Sequence, residues 1–167
     1  MTDQLTHLPY DLPGTIYRSP MPSSPLFDPE GKLLSTYEAA GVDVVLMLTP
    51  DAEARRLTGH NLRALYQARG FDVIHTPVPD FSAPSSQDLQ HAISRVLEAS
   101  RAGKTIVAHC HAGIGRTGTY LACLAKVVFN KSGEEAIDWV RQYVPHAVEN
   151  QQQYRFVLNF DFSAGRD

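Results

Sequence analysis

Cysteine is scarce in this chain, with two residues in 167. Cys110 and Cys123 cannot build a disulfide framework, so an intracellular, reducing compartment is the simpler expectation. Long apolar runs are also missing. No stretch approaches the ~18 residues of a membrane span, and the first 14 residues show neither the basic nor the apolar region of a secretory signal. A cytoplasmic protein that does not engage a membrane is expected. Positive charge is not in excess: 15 Lys and Arg stand against 18 Asp and Glu, a net charge of −3. Nothing therefore suggests a global field for nucleic acid, and none is expected as a partner. There is no internal repeat, low-complexity tract or linker. A composition of 43% hydrophobic and 20% charged residues fits one globular domain with a proper core, expected to be a monomer.

What is present is an alternation of strand and helix patterns. Residues 1–13 read as a loose N-terminal arm and residues 14–162 as one domain. Residues 14–18 read as a first strand at a sheet edge. Residues 19–29, with four prolines and three serines, are an irregular loop. A short helix over 32–40 precedes an apolar strand over 42–48. A helical turn over 51–56 and a helix over 61–69 lead to a strand over 71–76. An amphipathic helix over 85–102 carries Leu89, Ala92, Ile93, Val96 and Leu97 on one face. Further helices follow over 116–130, after Ser132-x-x-Glu135, and from Glu149 onward. Trp139 reads as packing. The pattern predicts an α/β fold: a mainly parallel sheet of four to five strands with helices on both faces.

The most informative stretch is residues 104–120, KTIVAHCHAGIGRTGTY. Thr105 to Ala108 is a β-branched, apolar run typical of a buried strand. Residues 109–118 are a glycine-bearing loop, and Leu121, Leu124, Ala125 and Val128 then take up helical spacing. A loop from a strand's C-terminal end into a helix is a ready anion site, because the first N–H groups of the helix lack partners and carry partial positive charge. Cys110 stands at the mouth of this site, where a thiolate is favoured. Arg116 supplies a planar fork that can take two oxygens of a tetrahedral oxyanion. Gly113 and Gly115 let the backbone approach closely. A nucleophilic sulfur, a ring of N–H donors and an arginine clamp suit attack on phosphorus. A lone buried Cys is more often a small hydrophobe, but that reading leaves the arginine and glycines unexplained.

The string HCHAGIGRTG resembles the HCxxGxxRTG signature of the cysteine-dependent protein phosphatases, the tyrosine and dual-specificity superfamily. The resemblance runs from about residue 14 to residue 160. No tyrosine-bearing loop that would deepen the pocket is seen, so the small dual-specificity-like branch is the better match. It implies a phosphatase catalytic domain over 14–162 that hydrolyses phosphomonoesters through a cysteinyl-phosphate, with no metal or other cofactor. Protein phosphotyrosine, with phosphoserine and phosphothreonine, is the implied substrate class. Phosphoinositide or RNA 5′-phosphate hydrolysis, or capture of phosphorylated partners without turnover, are the alternatives. Cys110 is the implied nucleophile. Arg116 and the backbone of His111, Ala112, Gly113, Ile114 and Gly115 bind the phosphoryl oxygens, and the Thr117 hydroxyl eases departure of the thiolate.

Chemistry also demands an acid to protonate the leaving group. Asp80 lies on a proline-rich loop after the neighbouring strand and resembles the family's general-acid loop; a turn-forming aspartate is the plain reading. The resemblance implies that His109 holds the cysteine loop by hydrogen bonds. A His109–Cys110–His111 metal site is disfavoured, because alternate strand residues point to opposite faces. His111 would add positive charge when protonated, which points to a more acidic substrate. Arg18 is either a substrate contact or a solvated charge. Glu149 and Gln153 match an E-T-x-x-Q stretch whose glutamine orients the hydrolytic water, with Asn150 replacing threonine; an ordinary polar helix start is the other reading.

Overall fold

The computed structural model describes residues 4–162. Five strands form one sheet: β1 Thr6–Leu8, β2 Thr15–Ser19, β3 Val44–Met47, β4 Asp72–His75 and β5 Thr105–His109, in the order β1-β2-β5-β3-β4. β1 runs antiparallel to β2, and the other three pairs are parallel. The helices are α1 Leu33–Ala39, α2 Asp51–Thr58, α3 Leu62–Ala68, α4 Ser86–Arg101, α5 Gly115–Phe129, α6 Gly133–Arg141 and α7 Gln151–Asn159. The α/β expectation of a mainly parallel sheet covered on both faces is met, and every expected helix forms.

β5 lies at the centre of the sheet, and its continuous apolar run is what burial on both faces requires. Its side chains alternate between two cores. Ile106, Ala108 and Cys110 pack with Leu89, Leu121, Ile137 and Val157 of α4, α5, α6 and α7. Val107 packs on the other face with Leu34, Ala54 and Tyr66 of α1, α2 and α3. The parallel pairing sends the C-terminal ends of β2, β3, β4 and β5 to one edge of the sheet. The four loops that follow them meet there, where open α/β sheets bind ligands.

Two N-terminal expectations are corrected. β2 is not an edge strand, since β1 pairs outside it, with Thr6 opposite Arg18 and Leu8 opposite Ile16. Nor is the described part of the 1–13 arm loose. Leu8 and Tyr10 are buried, and the Tyr10 hydroxyl donates to the Leu121 carbonyl at 2.7 Å. The Tyr10 ring lies 4.8 Å from Trp139 and 5.9 Å from Phe129. A three-residue strand has too short a pattern to be read from sequence; its partner strand and an aromatic cluster from α5 and α6 hold it. Tyr10→Ala should therefore destabilise the protein by about 3–5 kcal/mol, as large-to-small core changes do. Urea unfolding measures this, and an unchanged midpoint would return the segment to the status of an arm.

Candidate active site

The loop from Cys110 to Ile114 joins β5 to α5, and its carbonyls are held from outside. The Arg18 guanidinium donates to the Gly113 carbonyl at 3.0 Å and to the Ala112 carbonyl at 2.7 Å. The Met21 N–H donates to the His111 carbonyl at 2.8 Å. His109 Nδ1 lies 2.9 Å from the Cys110 carbonyl, which can only accept, so Nδ1 carries the proton. His109 Nε2 then accepts from the Tyr66 hydroxyl at 2.7 Å. Burial pushes the His109 pKa down to about 4, so the ring is neutral at physiological pH. Because a trans peptide points its C=O and its N–H in opposite directions within one plane, these four anchors turn the N–H groups of His111, Ala112, Gly113 and Ile114 the other way. Among the described residues none of those N–H groups donates to the protein. Gly113 is required twice over: its φ is +78°, and a Cβ would collide with the Arg18 guanidinium and the Ser19 carbonyl. Arg18 thus spends two donors on loop carbonyls rather than on solvent. It is the brace of the loop, a role without a local sequence signal, because β2 becomes the neighbour of β5 only in the folded sheet.

Arg116 projects from the first turn of α5 and is buried. Glu53 of α2 accepts two hydrogen bonds from it, Nη1 to Oε2 at 2.7 Å and Nη2 to Oε1 at 3.2 Å. Nη1 also donates to the Val78 carbonyl at 2.9 Å, and Nη2 lies 3.1 Å from Asp80 Oδ1. Burial works against the charge of Arg116, but the hydrogen bonds to Glu53 and the nearby Cys110 and Asp80 outweigh it and raise its pKa. Sequence reasoning missed Glu53. A glutamate in a helix's first turn is commonplace, and only the adjacency of β3 and β5 brings it under Arg116.

Cys110, Arg116 and Asp80 line one cavity of about 100 Å³, together with His111, Phe81 and Glu149. Cys110 is buried at its base. Glu149 was recognised only as part of a motif; here its carboxylate lies over the start of α5, where a Cβ on Gly115 would strike it. Gln153 does not line the cavity. It is fully buried, accepts from the Glu149 N–H at 2.9 Å and donates to the Ser82 carbonyl at 3.3 Å. Its amide bonds two backbone groups, and its Nε2 also lies beside the start of α5, 3.2 Å from where a Cβ on Gly115 would sit. His111 Nε2 lies 3.2 Å from the Ser24 hydroxyl, and its ring meets Phe27 at 4.9 Å. Burial lowers the His111 pKa, which works against the protonated ring. The proline-rich 20–29 loop therefore buttresses the cysteine loop. The Thr117 hydroxyl is buried with no hydrogen-bond partner among the described residues. Both cysteines are free, and no group of three or more His, Cys, Asp or Glu among the described residues could hold a metal ion.

Comparison with known proteins agrees with this geometry. A family described as "Polymorphic toxin system, DSP-PTPase phosphatase" matches residues 30–128. Rat cyclin-dependent kinase inhibitor 3 is 28% identical over 128 residues, which cover 74% of this chain and 59% of the rat protein. The chain thus spans about three-fifths of the length of that relative. The crystal structure of kinase associated phosphatase, with its catalytic cysteine changed to serine, superposes with a TM-score of 0.87 at 19% identity, covering 96% of this chain and 94% of that one. The crystal structure of Tk-PTP in the active form is 32% identical with a TM-score of 0.76, covering 95% of each chain. The family match over residues 30–128 and the end-to-end similarity to Tk-PTP show that this chain belongs to the DSP-PTPase phosphatase family.

Proposed function

We propose that the protein hydrolyses phosphomonoesters, with phosphorylated tyrosine, and serine or threonine, of proteins as the substrate class. The observation that carries this reading is the convergence of Cys110, Arg116 and Asp80 on one small cavity beneath unpartnered loop N–H groups. The exposed Phe81 ring at the rim supports an aryl substituent on the phosphate. Two free thiols, one of them the proposed nucleophile, support a reducing location such as the cytoplasm.

The chemistry proceeds in two steps. The Cys110 sulfur attacks phosphorus as a thiolate, an S–P bond forms, and the bond to the leaving oxygen breaks. The loop N–H groups and Arg116 hold the three phosphoryl oxygens and tighten on them as charge redistributes in the transition state. Of the five N–H donors of Arg116, Glu53 and Val78 take three and Asp80 faces a fourth. A two-point grip on the phosphoryl group through Nε and Nη2 therefore displaces Asp80 from the arginine. Released in this way, Asp80 takes up a proton from solvent and passes it to the leaving oxygen. As a carboxylate it then accepts a proton from the water that attacks phosphorus, the S–P bond breaks, and the thiolate returns. The unpartnered Thr117 hydroxyl is available to hydrogen-bond the departing sulfur. Neutral His109 fixes the loop and takes no part in proton transfer.

Cys110→Ser should abolish turnover of 4-nitrophenyl phosphate while vanadate still binds, since the N–H ring and Arg116 remain. Arg116→Lys should lower kcat/KM by about 10²–10³-fold, the cost of losing a donor aimed at transition-state charge. Steady-state kinetics and a vanadate titration check both, and hydrolysis at the wild-type rate by the serine variant would sink the mechanism. Turnover of phosphotyrosine, phosphoserine and phosphoinositide substrates side by side tests the substrate class.

The pH profile of kcat/KM should be bell-shaped, because the first step needs a thiolate and a protonated Asp80 together. Asp80→Asn should lose the basic limb and about 10²–10⁴-fold in rate on phenyl phosphate, whose leaving group needs a proton. An unaltered profile would assign the acid elsewhere.

His109 gives a separate pH signature. Its folded pKa of about 4 lies below the usual 6.5, so the unfolded chain binds the extra proton as pH falls. Its contribution is intact above pH 6.5 and is lost progressively down to about pH 4, by roughly 3 kcal/mol at 1.36 kcal/mol per unit. His109→Gln cannot titrate, so the stability difference between the two proteins should shrink across that window. A constant difference in urea titrations would contradict the neutral, buried ring.

A further inference from the structure

Once a phosphoryl group takes Nη2 of Arg116, Asp80 loses the one ion pair it makes among the described residues. Its side chain is 46% exposed, and its remaining hydrogen bond is local, from the Phe81 N–H to Oδ1 at 3.0 Å. The backbone beneath it is not relaxed either. Phe81 has a φ of +62°, a left-handed conformation that a bulky aromatic residue adopts only when its surroundings impose it. The Ser82 N–H to Pro79 carbonyl bond at 3.0 Å closes the turn from within. The restraint from outside comes from the start of α7.

Asn150 supplies it, using both ends of its amide. Its Oδ1 accepts from the Gln153 N–H at 2.9 Å and so caps α7. Its Nδ2 donates to the Phe81 carbonyl at 2.7 Å. The partners settle which atom is which: a backbone N–H needs an acceptor and a carbonyl needs a donor. Gln153 adds a longer bond to the next carbonyl, that of Ser82. α7 is itself firmly seated. Gln153 and Val157 are buried, and the Lys126 ammonium donates to the Val157 and Phe160 carbonyls at the far end of the helix. Among good helix caps, Ser and Thr offer a hydroxyl too short to span both bonds, and Asp has no N–H to donate.

We propose that Asn150 is the positioning residue of the general acid. It ties the carbonyl that follows Asp80 to the rigid start of α7, so that the Asp80 carboxyl stays over the leaving oxygen after substrate displaces it from Arg116. Asn150 touches neither substrate nor the reacting atoms. This inference rests on the proposed reaction and on Asp80 as its acid.

The test is Asn150→Ser, which keeps a capping oxygen and removes the donor without adding charge. The readouts are kcat/KM on phenyl phosphate, a poor leaving group, and on 4-nitrophenyl phosphate, a good one, with the thermal midpoint measured alongside. Phenyl phosphate hydrolysis should fall roughly tenfold, part of the ~10²–10⁴-fold that a general acid supplies. 4-Nitrophenyl phosphate hydrolysis should fall less than about twofold. In an Asp80→Asn background the same substitution should have no further effect, because residues that act as one unit are not additive. Equal losses on both substrates, or none, would overturn the inference. If Asp80→Asn shows a leaving-group-dependent loss and Asn150→Ser does not, the reaction stands and the positioning role falls. If Asp80→Asn shows no such dependence, the acid assignment and this inference fall together. Should the serine variant melt much earlier than wild type, Asn150→Asp, which keeps a strong cap and lacks the donor, gives the same comparison.

Discussion

The site depends on one constraint: four consecutive carbonyls of the cysteine loop are pinned from outside, so that the N–H groups behind them lack partners. Arg18 holds two, the Met21 N–H a third and His109 the fourth. A loop of unsatisfied donors is an unfavourable thing to fold, and it persists because each peptide plane is fixed by its opposite edge. The anchors come from β2, from the loop after β2 and from the end of β5. The order of the sheet is therefore also the wiring of the anion site. The neutral state of His109 belongs to the same design. A protonated ring would need both nitrogens as donors, and the Tyr66 hydroxyl would have to turn its own proton away.

Charge balance is the second element. Arg116 is nearly inaccessible, and an unpaired buried guanidinium would be strongly destabilising. Glu53 satisfies part of the fork and keeps it oriented, while Asp80 lies against Nη2, the nitrogen the proposed reaction assigns to substrate. The free site thus carries its counterions with it. In the proposed reaction the acid is held by the group that phosphate would claim, so binding and readiness for proton transfer are linked through one nitrogen. Release from Arg116 would leave a half-exposed side chain adrift unless the backbone below it were held. The bonds from Asn150 and Gln153 to the carbonyls of Phe81 and Ser82 meet that need. α7, the last helix of the fold, thereby reaches back to a loop some seventy residues earlier in the chain.

Much of this was legible in the chain before any fold was known. The residue types and spacing from His109 to Thr117 point to a nucleophile, an anion-binding turn and a clamp within one strand-loop-helix unit, because all three would be made locally. Helix positions followed from apolar periodicity and caps such as Ser132 with Glu135. What could not be read was how distant segments brace that unit. Arg18 reads as a substrate contact or a solvated charge, Glu53 as any acid in a first helical turn, and residues 4–13 as a loose arm. Each takes its place through strand adjacency. The order β1-β2-β5-β3-β4 puts β5 between the second and third strands of the chain, so its partners lie far away in sequence. Local chemistry is determined by neighbours along the chain, which the sequence displays. The placement of a guanidinium behind a loop or a carboxylate under an arginine depends on which strands share hydrogen bonds, and that was decided only when the whole sheet closed its two cores.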